Sequence, residues 1–347
     1  MSQIQLLRRI GILAVLLACL LRLASVVTFD PNTPFFSQPG LLAALFRSQT
    51  GRDPSPSTTT STTIPSVSTA PPTAPTTIPT APTTLPTTSK PLQKPTFSAT
   101  DAKALKLTYS CAYRPDVAAL LTQKLQWDLS SGEPKVLILH THGTESYTKT
   151  ADTQYQNYGG SYRTDDPKYN MISIGAALAE KLEAAGIGVI HDTTPHDKDD
   201  YLDAYDNARA ATEKYLKKYP TIELVLDLHR DAAKDSQGNQ IGYTVTTDKG
   251  EAAKLMLVVG SNAGGLKHTY WRHNLALAVK LHAQLEKECP GICRTLQLRT
   301  SRFNQDLSKG ALLIEVGAAG NTRQEALLAA EILANCLLEL SAGAVYE

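Results

Sequence analysis

Two hydrophobic periods alternate along residues 100–347. Short, nearly continuous apolar runs predict buried strands. They are "KVLIL" (135–139), "IGVI" (187–190), "IELVLDLH" (222–229), "YTVTT" (243–247), "KLMLVVG" (254–260), "RTLQLRT" (294–300) and "GALLIEVG" (310–317). Between them, apolar residues at helical spacing predict helices over 170–186, 200–220, 271–288 and 322–340. The first closes on Gly186; the second is opened by Asp and stopped by Pro220. Strands alternating with helices predict an α/β domain, a twisted, mostly parallel sheet with helices on both faces. In such sheets a ligand site lies beyond the carboxyl ends of the strands.

Ahead of residue 100 the pattern changes. Arg8 and Arg9 precede the apolar run 10–21, then Arg22 and a second short apolar run. Residues 1–30 therefore read as a membrane anchor or a signal segment, N-terminus inside, with the rest of the chain outside the cytoplasm. Near the outer boundary Arg22 can snorkel, and no clean A-x-A site follows, which favours a retained anchor. Residues 31–99 are a linker. From 54 to 91 it is almost entirely Pro, Thr, Ser and Ala, and "APTTIPTAPTTLP" repeats every seven residues. So little apolar surface cannot offset ordering entropy, and a disordered spacer is expected. At about 3 Å per residue where polyproline-like, it reaches on the order of 100 Å. The folded unit is then 100–347, a single domain of ordinary size.

The ends of the predicted strands carry the chemistry. His140, His142 and Glu145 follow the first strand; His229, Arg230 and Asp231 end the 222–229 strand; Glu315 ends the late one. Imidazole and carboxylate donors suit Zn2+, and three protein ligands with one open position make a catalytic site. His142 and Glu145 are spaced to share one face of a turn. If the strand runs on through residue 142, His140 and His142 share a face and form the pair instead. His229 is a further ligand, with Asp227 placed to orient it. Glu315 remains as general base, since an ionisable group inside "ALLIEVG" is costly unless bound or paired. Arg230 either holds a substrate carboxylate or pairs with Asp231. Asn304 and Gln305 precede the base strand in a loop placed to bond substrate.

The rest of the composition excludes more than it adds. A net charge of +1 indicates no strongly basic face, so no nucleic-acid role is expected. Cys289 and Cys293, in "CPGIC", read as a small disulfide or as two reduced thiols beside a turn. A second CxxC-like pair that would complete a zinc ribbon is missing from the sequence.

The motifs "HTHGTESY", "DLHRDA" (227–232), "VVGSNAG" (258–264), "FNQDLSKGALLIEVG" (303–317) and "NT" (321–322) resemble the stage II sporulation protein P family. That family is similar to the zinc-dependent N-acetylmuramoyl-L-alanine amidases. The resemblance implies a His/Glu/His zinc site, here His142 or His140, Glu145 and His229, with Glu315 as base. One departure stands out: the region where the broader group carries its ligand glutamate, "RTDDPKYN", has none. The resemblance further implies a peptidoglycan substrate, cleavage of the muramoyl-alanine amide with some cutting of cross-linked stems, and action in forespore engulfment. It also implies attachment to the mother-cell membrane and a partner, the sporulation transglycosylase called the D protein of the same stage. Two other classes fit parts of the pattern. A zinc carboxypeptidase would use Arg163 and Tyr162 for a terminal carboxylate, and a wall-binding scaffold would keep the fold without turnover.

Overall fold

The computed structural model describes residues 94–346 apart from 126–128, 130–131 and 342–344. The anchor or signal segment and nearly all of the linker lie outside the described residues. Among the described residues, no helix is long and apolar enough to cross a membrane. Regular structure begins just ahead of the boundary at residue 100, with β1 (Thr96–Phe97), which pairs in parallel with β11 (Val345–Tyr346).

The main sheet has seven strands: β2 (Leu107–Tyr109), β3 (Pro134–Leu139), β4 (Gly188–His191), β5 (Leu224–Asp231), β8 (Leu255–Val259), β9 (Leu296–Leu298) and β10 (Ala311–Ala318). Their spatial order is β2-β9-β8-β10-β5-β3-β4. Neighbours are parallel except β8 and β10, which are antiparallel. The sheet is thus mostly parallel, with one seam where its direction reverses. The "YTVTT" run is a strand, β6 (Thr244–Thr247), but it pairs only with β7 (Gly250–Ala253) in a hairpin outside the sheet.

Helices cover the two faces unequally. Helices α3 (Met171–Ala184), α5 (Trp271–Glu288) and α6 (Arg323–Ser341) pack on one face, against Val136, Ile138, Leu224, Leu226, Leu228, Leu312 and Ile314. Each such leucine, fully buried, contributes about 1.5–3 kcal/mol. Helix α4 (Ala204–Lys218) covers the other face, where Ala208 meets Leu137, Leu139, Val225 and Ala311. Two short helices, α1 (Ala99–Ala104) and α2 (Val117–Thr122), precede β3.

Helix α3 starts where Asn170 caps the Ile172 amide and ends at the left-handed Gly186 (φ 87°), as the sequence predicts. Helix α4 starts at Ala204, four residues later than the predicted 200, and residues 200–203 form a turn. From β3 the chain crosses through α3 to the edge strand β4, then returns through α4 on the opposite face to β5, on the other side of β3. Connections that leave neighbouring strands in opposite directions open a crevice at the carboxyl ends of β3 and β5.

Candidate active site

The strand period of two decides which side chains enter that crevice. Leu224, Leu226 and Leu228 of β5 face α3 and α5, so Val225, Asp227 and His229 face the α4 side. On β10, Leu312, Ile314 and Val316 take the first face, and Glu315 the second. β10 and β5 are in register at Glu315↔His229. Just past Glu315 the register shifts, at Gly317, whose φ of 73° fits a bulge without side-chain strain.

β3 ends at Leu139, and this resolves the two histidines after it. Leu139 packs on the α4 face, so His140 falls on the other, under α3. His140 is fully buried, its Nδ1 3.2 Å from the Leu228 carbonyl and its Nε2 2.9 Å from His191 Nε2. A Cβ at Gly175 would come within 2.5 Å of His140 Nε2, so α3 leaves no space there. His140 therefore lies on the sheet face opposite His229, packed under α3. Burial, then His191, lowers its pKa to about 3.

His142 reaches the crevice. Its ring lies 5.3 Å from that of His229, edge to face, and stacks at 4.5 Å on Tyr201, in the turn before α4. Its buried Nδ1 has no hydrogen-bond partner and faces Asp197 Oδ2 at 3.8 Å. Asp197 is itself held by the Thr144 amide (3.1 Å), the Thr144 hydroxyl (2.6 Å) and Arg163. Burial is the largest influence on His142 and lowers it to about 4, although Glu145 and Asp197 oppose it.

Glu145 follows one turn later. Its Oε2 accepts from the Arg230 amide (3.1 Å) and lies 3.7 Å from His229 Nδ1; its Oε1 accepts from Arg230 (3.3 Å) and Arg163 (3.5 Å). Burial pushes this carboxyl up, but Arg230 above all, then His229, outweigh it, and the group is held below the usual range. Asp227 stands 3.0 Å from His229 Nε2 and also accepts from the Thr141 amide (2.8 Å) and hydroxyl (2.6 Å), tying the loop after β3 to β5. The approach to His229 is close but angled, and Nε2 makes no well-directed hydrogen bond. Burial lowers the His229 pKa, yet Asp227, then Glu145 and Glu315, raise it to about 9. Glu315 is buried with Oε2 unpartnered; burial, reinforced by Glu145 and Asp231, raises it to about 8.

These residues fit a metal such as zinc. Each histidine has a carboxylate against one nitrogen, Asp197 for His142 and Asp227 for His229, the arrangement that orients imidazole ligands. The 3.7 Å between His229 Nδ1 and Glu145 Oε2 is close to the ~3.4 Å expected of two ligands on one zinc. The nitrogens that face Asp197 and Asp227, His142 Nδ1 and His229 Nε2, make no well-directed hydrogen bond, and Glu315 Oε2 is likewise buried without a partner. The tightest His/Cys/carboxylate trio among the described residues lies elsewhere, however, at His282, Glu286 and Cys293. In the crevice the Glu145 carboxylate is drawn to its two arginines.

The remaining residues singled out in the sequence are placed by their hydrogen bonds. Arg230 does not pair with Asp231, whose partner is Arg294 (2.6 Å); it is buried against Glu145, the Ser146 carbonyl (2.9 Å) and the Tyr162 carbonyl (2.9 Å). All three of its guanidinium nitrogens donate inside, and it holds Glu145 in place. Gln305 is buried, bonded to the Gly260 amide and the Val258 carbonyl, both at 2.8 Å. Asn304, left-handed at φ 55°, donates to the Tyr205 carbonyl at 2.7 Å and braces α4. Cys289 and Cys293 are free thiols. Conversely, Asp197, Tyr201 and Tyr205 belong to the site and carry no sequence signal, being more than fifty residues from His142.

Comparison with known proteins agrees with the motifs. The curated stage II sporulation protein P of Bacillus subtilis (strain 168) is 27% identical over 224 residues, which is 61% of this chain; the chain spans about half (52%) of that relative's length. Solved structures overlap more loosely. N-acetylmuramoyl-L-alanine amidase AmiC2 of Nostoc punctiforme has 13% identity over 60% of this chain and 97% of that one, with a TM-score of 0.38. Ami1 from Mycobacterium smegmatis has 11% identity over 61% and 99%, with a TM-score of 0.37. The family model for stage II sporulation protein P (SpoIIP) matches residues 81–338, and the chain belongs to that family.

Proposed function

We propose that this chain is a zinc-dependent peptidoglycan hydrolase of sporulation that cleaves the amide between N-acetylmuramic acid and L-alanine. The observation that carries this reading is the meeting of His142, Glu145, His229 and Glu315 at the carboxyl ends of three neighbouring strands. His142, Glu145 and His229 would hold the ion, with Asp197 and Asp227 fixing the two rings. A zinc ion held there would supply Lewis acidity for the scissile carbonyl and would favour the ionised form of Glu315. Glu315 takes a proton from the attacking water and delivers it to the leaving amine. The exposed Tyr201, stacked on His142, and its chain neighbour Leu202, also exposed, offer an apolar edge to the substrate.

Two further parts of the proposal rest on the sequence. The N-terminal segment anchors the chain to the membrane with the catalytic domain outside, and the Pro/Thr linker spans the distance to the wall. There the chain acts in engulfment beside the sporulation transglycosylase, the D protein. The carboxypeptidase reading is weaker, because Arg163 is engaged by Asp197, Thr144 and Glu145. Purified protein incubated with peptidoglycan should release intact stem peptides with new L-alanine amino termini. Release of single terminal residues, or no release from zinc-replete protein, would overturn the reading.

A further inference from the structure

Beside β8 and β9 lies a groove of about 780 Å³ lined by Tyr243, Lys254, Met256, Arg294 and Gln297. Against its wall stand His282 and Glu286, one turn apart on α5 and therefore on one helix face. The turn after α5 brings Cys293 to them, through a bridge to Leu255 at the start of β8. One ligand atom from each of the three lies within 4.8 Å of the others.

The trio is pre-organised. Glu286 does not depend on solvent to hold its carboxylate in place: Oε2 accepts from the Gly291 amide at 2.9 Å and Oε1 from the Cys293 amide at 2.7 Å. Each oxygen keeps a second lone pair. His282 is 5% exposed, and its buried Nδ1 has no partner. Such an orphan nitrogen calls for an explanation, and a cation is one. The Cys293 thiol makes only a weak 3.8 Å contact with the His282 carbonyl. Burial raises its pKa, and Glu286, Cys336 and Cys289 add to the effect, so the surroundings are ones that a cation would relieve.

We propose that His282, Glu286 and Cys293 form a second metal site, of the zinc class, separate from the crevice at β3, β5 and β10. One imidazole, one thiolate and one carboxylate select zinc over magnesium or calcium, and the groove leaves the fourth position to water. Binding forms the metal–Sγ bond and releases the thiol proton to solvent. The proposal does not rest on the function proposed above, since the other site offers only nitrogen and oxygen donors.

The test uses the full chain, purified under reducing conditions and loaded with Co2+. A thiolate-to-cobalt charge-transfer absorbance should appear. It should persist in His229→Ala, vanish in Cys293→Ser and fall at least tenfold in His282→Gln at the same cobalt concentration. Zinc content by mass spectrometry should fall by about one ion per chain in each of these three variants. A cobalt-loaded wild type with its thiols free and no such absorbance overturns the proposal, as does an absorbance unchanged in Cys293→Ser. If Cys293→Ser does not fold, His282→Gln decides: an unchanged absorbance there overturns the site.

Discussion

Glu315 stands beside His229 in register across β10 and β5, both on the sheet face that α4 covers. Two rigid strands thus fix the distance between a proposed ligand and a proposed base. Glu315→Gln keeps the shape and removes the proton acceptor. We expect that variant to fold, bind zinc as the wild type does and cleave peptidoglycan at least about a hundredfold more slowly. Zinc loss in this variant would make Glu315 a ligand; unchanged turnover would remove it from the chemistry.

Asp227 acts on both sides of the crevice, against His229 and through two hydrogen bonds to Thr141. Asp227→Asn removes the charge that favours one orientation of the imidazole. Zinc affinity should fall about 10- to 100-fold, measured by competition with a chromophoric chelator. Affinity equal to the wild type's would show that the orientation of His229 does not depend on this carboxylate.

Arg230 distinguishes a structural role from a substrate role. Its guanidinium is the strongest counter-charge to the buried Glu145. Arg230→Met leaves that carboxylate with the backbone amide and Arg163. Stability should fall by about 3 kcal/mol, seen as a lower urea midpoint. A substrate-binding arginine would instead leave the midpoint in place and raise KM.

The site's outline was legible in the sequence because buried strands write themselves as apolar runs, and "KVLIL", "LVLDL" and "ALLI" are each followed directly by an ionisable residue, His140, His229 and Glu315. The choice between His140 and His142 was not legible. It turns on whether β3 stops at Leu139, and one residue of extension moves a side chain to the other face. The antiparallel seam at β8 and β10 was hidden for a related reason: a strand buried on both faces reads the same in either direction. That Asn304 and Gln305 brace the Tyr205 and Val258 carbonyls was hidden, because a loop amide that braces backbone reads in sequence like one that faces a ligand. Asp197 and Tyr201 enter the site only through the fold, which returns the turn before α4 to the end of β3.

The core pair His140–His191 makes stability sensitive to acid. Burial is the main cause that lowers both, to about 3 and about 4, against 6.5 for an ordinary histidine. A depressed folded pKa means that the unfolded chain binds protons first. The stability linked to each ring is therefore present above pH 6.5 and is lost as pH falls toward 4. By linkage, a ring with a folded pKa of about 4 loses roughly 2 kcal/mol at pH 5. His140 is wedged below Gly175; its Nδ1 donates to the Leu228 carbonyl, so its Nε2 accepts from His191 Nε2, and protonating His140 sets two donors face to face. His191→Gln keeps an amide beside His140 and removes one of the two titrations. His142, His268 and His282, also lowered to about 4 by burial, titrate in the same window, so urea midpoints should fall between pH 6.5 and 4.5 in the wild type and measurably less steeply, by the share of one ring, in the variant. Equal slopes would show that the acid sensitivity arises elsewhere in the molecule.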